Sequence, residues 1–237
     1  NEGAILTARE ERKQINQKDL IMSIEKVMLG PERKSHLMSI EEKRITAYHE
    51  AGHALVASIL PDADPVHKIT IISRGRAGGY TLKLPLDDRK LQTKASFLDD
   101  LAMSLGGYVA EQLVFGDITT GPSNDLQVSS DMARRMVTEW GMSEVIGPVA
   151  LESSKTKLYR GQGIESKLYS ESIATKIDEE VKRLMTEARS RAEKVIVQYR
   201  HVLDAISEKL IEVETLEQEE YNQLIKSFGI EPRVKEV

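Results

Sequence analysis

Residues 47–57, AYHEAGHALVA, place two histidines and a glutamate within a segment that is otherwise apolar. His49 and His53 have the spacing of an HExxH motif, and on a helix residues four apart lie on one face, about 5–6 Å from each other. Their imidazole nitrogens can therefore reach one metal ion, with Zn²⁺ as the expected metal. Glu50 then lies beside the metal, where its carboxylate can take a proton from water. The pattern predicts a metal-dependent hydrolytic site.

The surroundings of the motif favour a buried metal site over a chance match on a surface helix. Burying two imidazoles and a carboxylate without partners would cost on the order of several kcal/mol, and a bound metal ion removes that cost. A non-metal helical scaffold is the alternative if the motif is accidental. The apolar residues that surround the motif on nearly every side are Tyr48, Ala51, Ala54, Leu55, Val56, Ile59 and Leu60.

A third ligand has to come from outside the motif, because a catalytic zinc takes three protein ligands and keeps one position for water. A histidine six residues after His53 is excluded, since that position is Ile59, and no glutamate follows before Glu111. The remaining candidates are one histidine and a set of carboxylates. They are Glu111, Asp125, His67, Asp62, Asp64, Asp87, Asp88, Asp99 and Asp100.

Asp125 has the strongest physical case, because it lies in the first turn of a predicted helix, where the helix dipole favours an ionised carboxylate. Its alternative role is to help cap that helix. Glu111 lies mid-helix in an apolar stretch and is expected either to orient a histidine or to be an ordinary helix-surface residue. His36, His67 and His201 are expected to be ordinary surface or hydrogen-bonded histidines.

The composition excludes several classes of function. The chain has 237 residues, of which 40% are hydrophobic and 30% charged, enough apolar material for a packed core. A net charge of −5 gives no basis for nucleic-acid binding, and the absence of cysteine excludes disulfides and thiolate metal sites. No apolar run approaches the ~20 residues that span a bilayer. There is no GxxxxGK[ST] phosphate loop, so we expect no ATP hydrolysis by this chain.

The periodicity of apolar residues predicts a mainly α fold with a small β-hairpin. A capping box at Ser39 begins the helix that carries the motif, and a second box at Asn124 begins another helix. The segment 153–167 is polar and irregular and is predicted to be a loop. Helices are predicted at residues 2–12, 17–29, 39–60, 94–115, 124–139 and 215–229, with one long helix or two end to end over 173–210, and strands at 67–73 and 79–85.

Several motifs together resemble the proteolytic domain of the FtsH-type family of membrane-anchored, ATP-dependent zinc metalloproteases. The resemblance runs almost from end to end and is far more specific than HExxH alone. The matching stretches are NEGAILTAR, MLGPERKS, ITAYHEAGHALVA, VHKITII-SRGRA, GGYVAEQLVFG, TTGPSNDL and WGMSEVIGP.

The resemblance implies a role for each residue of the predicted site. His49 and His53 match the family's zinc-binding histidines, Glu50 matches its catalytic base, and Asp125 matches its third ligand. Residues 1–32 resemble the end of the small helical subdomain of an ATPase module plus a linker. Residues 33–237 then form the zinc metalloprotease domain.

The resemblance also implies partners that the residues alone do not indicate. The domain would be an endopeptidase that cleaves unfolded or membrane proteins, delivered by an ATPase module of the same full-length chain, in protein quality control. Six-fold ring assembly and membrane anchoring are expected, with this domain on the cytoplasmic, matrix or stromal side. We expect a substrate to add as a strand along the edge of residues 67–73, near Ile69 and Ile71. A helical assembly module with a structural or inactive metal site is the competing interpretation.

Replacing Asp125 with alanine tests the predicted ligand set. We expect about one zinc per chain in the wild type, because the chain has one predicted site of three protein ligands and one water. We expect clearly less zinc in Asp125→Ala. The measurement is elemental analysis of the purified proteins. Unchanged zinc in the variant would mean that the third ligand is another residue, with Glu111 next in order. No zinc in either protein after zinc has been added back would leave the assembly-module interpretation standing.

Overall fold

The computed structural model describes residues 1–30, 38–73, 78–84, 91–152 and 169–233. The described residues form nine helices and three short strands, so the predicted mainly α fold with a small sheet is confirmed. In chain order they are α1 (Glu2–Arg9), α2 (Gln17–Leu29), α3 (Ile40–Ile59), β1 (Val66–Thr70), β2 (Tyr80–Lys83), α4 (Lys94–Ser104), α5 (Gly106–Phe115), α6 (Ser123–Thr138), α7 (Glu171–Gln198), α8 (Arg200–Val213), β3 (Thr215–Glu217) and α9 (Gln218–Ser227).

Helix α3, which carries HExxH, lies at the centre of the core. It begins with the predicted capping box, in which Ser39 and Glu42 bond each other's backbone amides. From residue 47 to residue 57 each of its residues is buried, because α5 and α8 pack on it most closely, with α4, α7 and β1 around them. Apolar residues on nearly every side of this stretch fit its place in the core, with His49, Glu50 and His53 as the polar exceptions. The polar residues of the motif are therefore enclosed by protein.

The three strands form one antiparallel sheet in the order β2-β1-β3. Ile69 of β1 lies opposite Thr81 of β2 on one side and opposite Leu216 of β3 on the other. The predicted hairpin of β1 and β2 is confirmed, but β1 is the central strand and not an edge. The expectation that a substrate pairs along residues 67–73 is therefore wrong, because both sides of β1 already carry a strand.

Glycines allow α3 and α5 to cross with their backbones in contact. A Cβ built on Gly52 would come within 2.5 Å of the Gly106 carbonyl oxygen, and one on Gly106 would come within 2.6 Å of the Gly52 carbonyl oxygen. Gly107 lies directly beneath His49, whose ring atoms would be 2.5–2.6 Å from an added Cβ. These helices cannot approach so closely with any larger residue at these positions.

Two predicted helices differ from the structure around this crossing. The helix predicted over 94–115 is broken at Leu105, although the apolar spacing continues through it, because the second half turns to place Gly106 against α3. Helix α6 begins at Ser123 after Pro122, and the predicted capping box at Asn124 is wrong. The side chain of Asp125 does not cap the helix and instead approaches His49.

The C-terminal part corrects one further prediction. Thr215 was predicted to begin the last helix, but residues 215–217 form β3, and the helix begins at Gln218 after a capping box of Glu217 and Glu220. Pairing with β1 explains this, since three residues have no stable strand conformation by themselves. Of the two alternatives predicted over 173–210, one long helix or two end to end, the structure has the second, with two helices that meet at Tyr199. The predicted loop at 153–167 lies outside the described residues.

The N-terminal helices α1 and α2 pack mainly on each other. The predicted cap of α2 is confirmed, with Asn16 and Asp19 in a reciprocal capping box. An ion pair between Glu25 of α2 and Lys68 of β1, at 3.2 Å, connects this helix pair to the sheet. In the described parts of the chain, no helix is both long and apolar enough to cross a membrane.

Candidate metal centre

Three potential ligand atoms converge between α3 and the first turn of α6. The Nε2 atoms of His49 and His53 are 3.0 Å apart, and Oδ2 of Asp125 lies 3.2 Å from the first and 3.5 Å from the second. Tetrahedral zinc with bonds near 2.0–2.1 Å requires its ligand atoms to be about 3.3 Å from one another. The three distances therefore fit a single zinc ion, with the fourth tetrahedral position left for another ligand.

Hydrogen bonds on the opposite side of each ring fix the orientation of both histidines. Nδ1 of His49 donates to Oε1 of Glu111 at 2.7 Å, and Nδ1 of His53 donates to the Met103 carbonyl at 2.8 Å. In an unbroken helix that carbonyl would accept the amide four residues further on. At the end of α4 it accepts a backbone amide of the cap at Leu105 and, in addition, the Nδ1 donor of His53. Both Nε2 atoms are thus the nitrogens available for a metal.

The site attracts positive charge. Burial lowers the pKa of His49, but the carboxylates of Asp125, Glu111 and Glu50 outweigh burial and raise it to about 10. Burial raises the pKa of Asp125, and the two histidines reverse this and bring it well below its usual range. A proton can bridge only two of the three converging atoms, whereas one divalent cation contacts all three. The donor set therefore fits a metal ion better than a proton.

Glu111 connects His49 to the loop that leads to Asp125. Its Oε1 accepts from His49, and its Oε2 accepts from the backbone amide of Thr119 at 2.8 Å. Burial raises the pKa of Glu111, but the bonds from His49 and Thr119 lower it overall, so the carboxylate is ionised. The buried side chain of Glu111 thus orients the His49 ring and also holds the loop from which α6 brings Asp125 to the site. Of the two roles that the sequence left open for Glu111, the structure places it against a histidine.

Glu50 lies beside the two histidines and is 5% exposed. Burial raises the pKa of its carboxyl group, while His49, His53 and a hydrogen bond from Thr81 act in the opposite direction. The Thr81 hydroxyl donates to Oε2 of Glu50 at 2.8 Å. A carboxyl group whose pKa is raised by burial holds a proton more readily, as a group that accepts and returns a proton must.

The site opens into a cleft of about 900 Å³ between the sheet and α6. One wall is the β2 end of the sheet, residues 78–81, and the opposite wall is the loop and first turn of α6, from Thr119 to Gln127. His49, Glu50, His53 and Asp125 all face this cleft. A ligand as long as an extended peptide can therefore reach the converging atoms.

The other predicted candidates lie elsewhere in the fold. Asp99 pairs with Arg191, and Asp100 pairs with Lys83 at 2.6 Å. Ile69 and Ile71 are 0% and 4% exposed and belong to the core, not to the cleft. Asp62 and Asp64 follow the end of α3, His67 lies on β1, and His201 packs on Phe228. His36, Asp87 and Asp88 lie outside the described residues. Within the described ranges, the cluster of metal-ligand types consists of His49, His53 and Asp125.

Two contributors to the site were missed at the sequence level. The Met103 carbonyl is a backbone group, so no residue type could indicate it. Thr81 is an ordinary residue for a half-buried strand position, and its contact with Glu50 depends on how β2 is placed. The residue that could have indicated a close approach of this strand to the motif helix is Gly79. A Cβ there would come within 3.0 Å of Cγ of Glu50 and 2.7 Å of the Thr70 carbonyl oxygen.

A helical domain with HExxH on a buried helix, an aspartate from a second helix and an acid beside them defines the class as a metallopeptidase domain of the HExxH type. The model of peptidase family M41 matches residues 36–224, and the chain belongs to this family. The resemblance inferred from the motifs is thereby confirmed.

Similar proteins cover nearly the whole chain. It is 48% identical over 225 residues to ATP-dependent zinc metalloprotease FtsH 1 of Sphaerobacter thermophilus, an alignment that covers 94% of this chain and 34% of the relative. It is 47% identical over 227 residues to ATP-dependent zinc metalloprotease FtsH of Thermotoga maritima, covering 95% of this chain and 37% of the relative. The chain thus spans about a third of the length of these relatives.

Replacing Glu111 with glutamine tests its role in orienting His49. The amide keeps the size of the side chain but removes the charge that favours a proton on Nδ1. We expect metal affinity about 10–100-fold weaker, as for other partners of metal-bound histidines, with the fold retained. The measurement is a competitive zinc titration against a chelator, with circular dichroism as the control for folding. Wild-type affinity in Glu111→Gln would contradict this role.

Proposed function

We propose that this chain is a zinc-dependent endopeptidase domain, with His49, His53 and Asp125 as metal ligands and Glu50 as the general base. The observation that carries the proposal is the triangle of two imidazole nitrogens and one carboxylate oxygen, with edges of 3.0, 3.2 and 3.5 Å, beside a buried glutamate in an open cleft. The names of the relatives, which are zinc metalloproteases, support zinc as the metal.

The chemistry that follows is hydrolysis of a peptide bond. Zinc held by these ligands would supply Lewis acidity, which polarises a scissile carbonyl and lowers the pKa of water. Glu50 accepts a proton from the attacking water and then delivers it to the amine that leaves. His49 and His53 stay fixed throughout, because Glu111 and the Met103 carbonyl hold their opposite nitrogens.

The position of β2 supports a mode of substrate binding. β2 pairs with β1 on one side, and among the described residues no strand pairs with its other side. The beginning of the strand also forms one wall of the cleft, next to Glu50. An extended polypeptide adding to this outer edge of β2 would present its backbone to Glu50, with main-chain hydrogen bonds supplying sequence-independent affinity.

The competing proposal, a helical assembly module with a structural metal site, explains the structure less well. A structural zinc is normally closed by a fourth protein ligand. In the part of the chain that the structure describes, the cluster has three, and the residue beside it is a buried acid facing a cleft. The open coordination position and Glu50 both favour catalysis.

The properties of the whole protein are proposals that rest on its relatives. Residues 1–32 are the end of an ATPase module plus a linker, and residues 33–237 are the protease domain, as the separate packing of α1 and α2 supports.

The relatives are named ATP-dependent, which supports delivery of unfolded or membrane proteins by an ATPase in the same full-length chain. A hexameric ring anchored in a membrane, with this domain on its cytoplasmic, matrix or stromal side, completes the proposal. Nucleic acid is not among the proposed partners, given the net charge of −5.

Glu50→Gln tests the catalytic assignment. The amide cannot accept the proton, so we expect cleavage of an unstructured polypeptide to fall about 10²–10⁴-fold while zinc content stays at the wild-type level. Glu41→Gln, an exposed glutamate on the same helix, is the matched control and should cleave normally. The proposal would be contradicted if the wild type still cleaved after a chelator had been added and if the Glu50→Gln variant also cleaved at the wild-type rate.

Peptide substrates with single backbone N-methyl groups test strand addition to β2. Inward-facing and outward-facing amides alternate along a strand, so we expect methylation to reduce kcat/KM at every second position near the scissile bond. Each lost hydrogen bond should weaken binding by about 0.5–1.5 kcal/mol. The measurement is a positional scan of cleavage rates. Equal effects at neighbouring positions would rule out a paired strand.

A further inference from the structure

We propose that Thr81 is a positioning residue that holds the Glu50 carboxylate in its working orientation. This inference rests on the proposed function and adds to it a residue outside the motif. The hydroxyl of Thr81 donates to Oε2 of Glu50 at 2.8 Å. Among the described residues, Thr81 is the one side chain that hydrogen-bonds to this carboxylate.

The burial of Glu50 makes this hydrogen bond consequential. A general base has to be ionised, and a carboxylate that is 5% exposed has lost most of its water, so a donor from the protein has to replace part of that hydration. Hydrogen bonds to charged acceptors are stronger and more directional than those between neutral groups. The side chain of a glutamate has three rotatable bonds, and a fixed donor on one oxygen selects among its conformers. With Oε2 held by Thr81, Oε1 is the oxygen that takes the proton.

The sheet, not the helix, sets the position of Thr81. Thr81 lies opposite Ile69 in the β1–β2 ladder, and Ile69 is fully buried. The strand can approach α3 because Gly79 has no Cβ, which would otherwise come within 3.0 Å of Cγ of Glu50 and of Cγ2 of Thr46. The Thr81 hydroxyl also lies 3.2 Å from the backbone carbonyl of Glu50. Thus α3 supplies the base, and the strand that borders the cleft orients it.

Three variants separate this role from a general effect on folding. Thr81→Val keeps the shape of the side chain and removes the hydroxyl, whereas Thr81→Ser keeps the hydroxyl. Thr70→Val is the matched control, since its hydroxyl lies in the same sheet but bonds to Thr215 and to the Glu214 carbonyl, away from Glu50. All three are made in the full chain and compared with wild type and Glu50→Gln.

We expect kcat for an unstructured fluorogenic peptide to fall about 10- to 100-fold in Thr81→Val, the effect of losing one hydrogen bond to a charged group. KM and zinc content should stay close to wild type, because neither substrate affinity nor the metal ligands change. Thr81→Ser should recover most of the activity. Thr70→Val should lower the melting temperature and leave kcat unchanged.

Crystal structures of wild type and Thr81→Val give a readout that does not depend on activity. We expect Oε2 of Glu50 to bond to Thr81 in the wild type and the carboxylate to turn away in the valine variant. A carboxylate that stays in place, or an unchanged kcat in Thr81→Val beside an active wild type, would overturn the role of Thr81 alone. A wild type without zinc-dependent cleavage would instead remove the proposed function and, with it, the catalytic meaning of this contact.

Discussion

The backbone contact between Gly52 on α3 and Gly106 on α5 is the constraint on which the metal centre depends. Because the two helices touch there, Gly107 lies under the His49 ring, and Glu111, one turn further along α5, reaches the Nδ1 atom of that ring. The same bend lies at the end of α4, where the Met103 carbonyl accepts from His53. The close approach of α3 and α5 thus gives the His49 ring its partner, and the end of α4 beside it gives the His53 ring its partner.

The centre combines elements that are far apart in sequence, with each supplying one function. Helix α3 supplies two nitrogens and an acid, α5 and the end of α4 fix the rings, and the first turn of α6 supplies a carboxylate that its helix dipole favours in ionised form. The sheet contributes no ligand, but it borders the cleft and contacts Glu50 through Thr81. The residues that are expected to react are therefore held by neighbours on rigid elements, which is the arrangement that catalysis by positioning requires.

The sequence predicted those features that are encoded locally. The capping box at Ser39, the HExxH spacing and the enclosing apolar residues together predicted α3 correctly, and the motifs identified the family. The ligand assignment stays a prediction, although His49, His53 and Asp125 do converge. The break at Leu105 was missed because apolar residues keep their spacing through it, and β3 was missed because three residues acquire strand geometry only by pairing with β1. Thr81 and the Met103 carbonyl gain their roles only from tertiary placement, so neither residue type nor spacing could indicate them.

The late position of β3 has a consequence for how the domain is made. Thr70 of β1 and Thr215 of β3 are bonded through their hydroxyls across a separation of 145 residues. During synthesis from the amino end, β1 and β2 emerge long before their third strand, so one side of β1 stays unpaired while the five helices that the structure describes between β2 and β3 are translated. Contacts of this range slow folding, and an uncovered strand edge pairs readily with other chains. The nascent domain therefore exposes, for most of its synthesis, the kind of extended edge that unfolded polypeptides join.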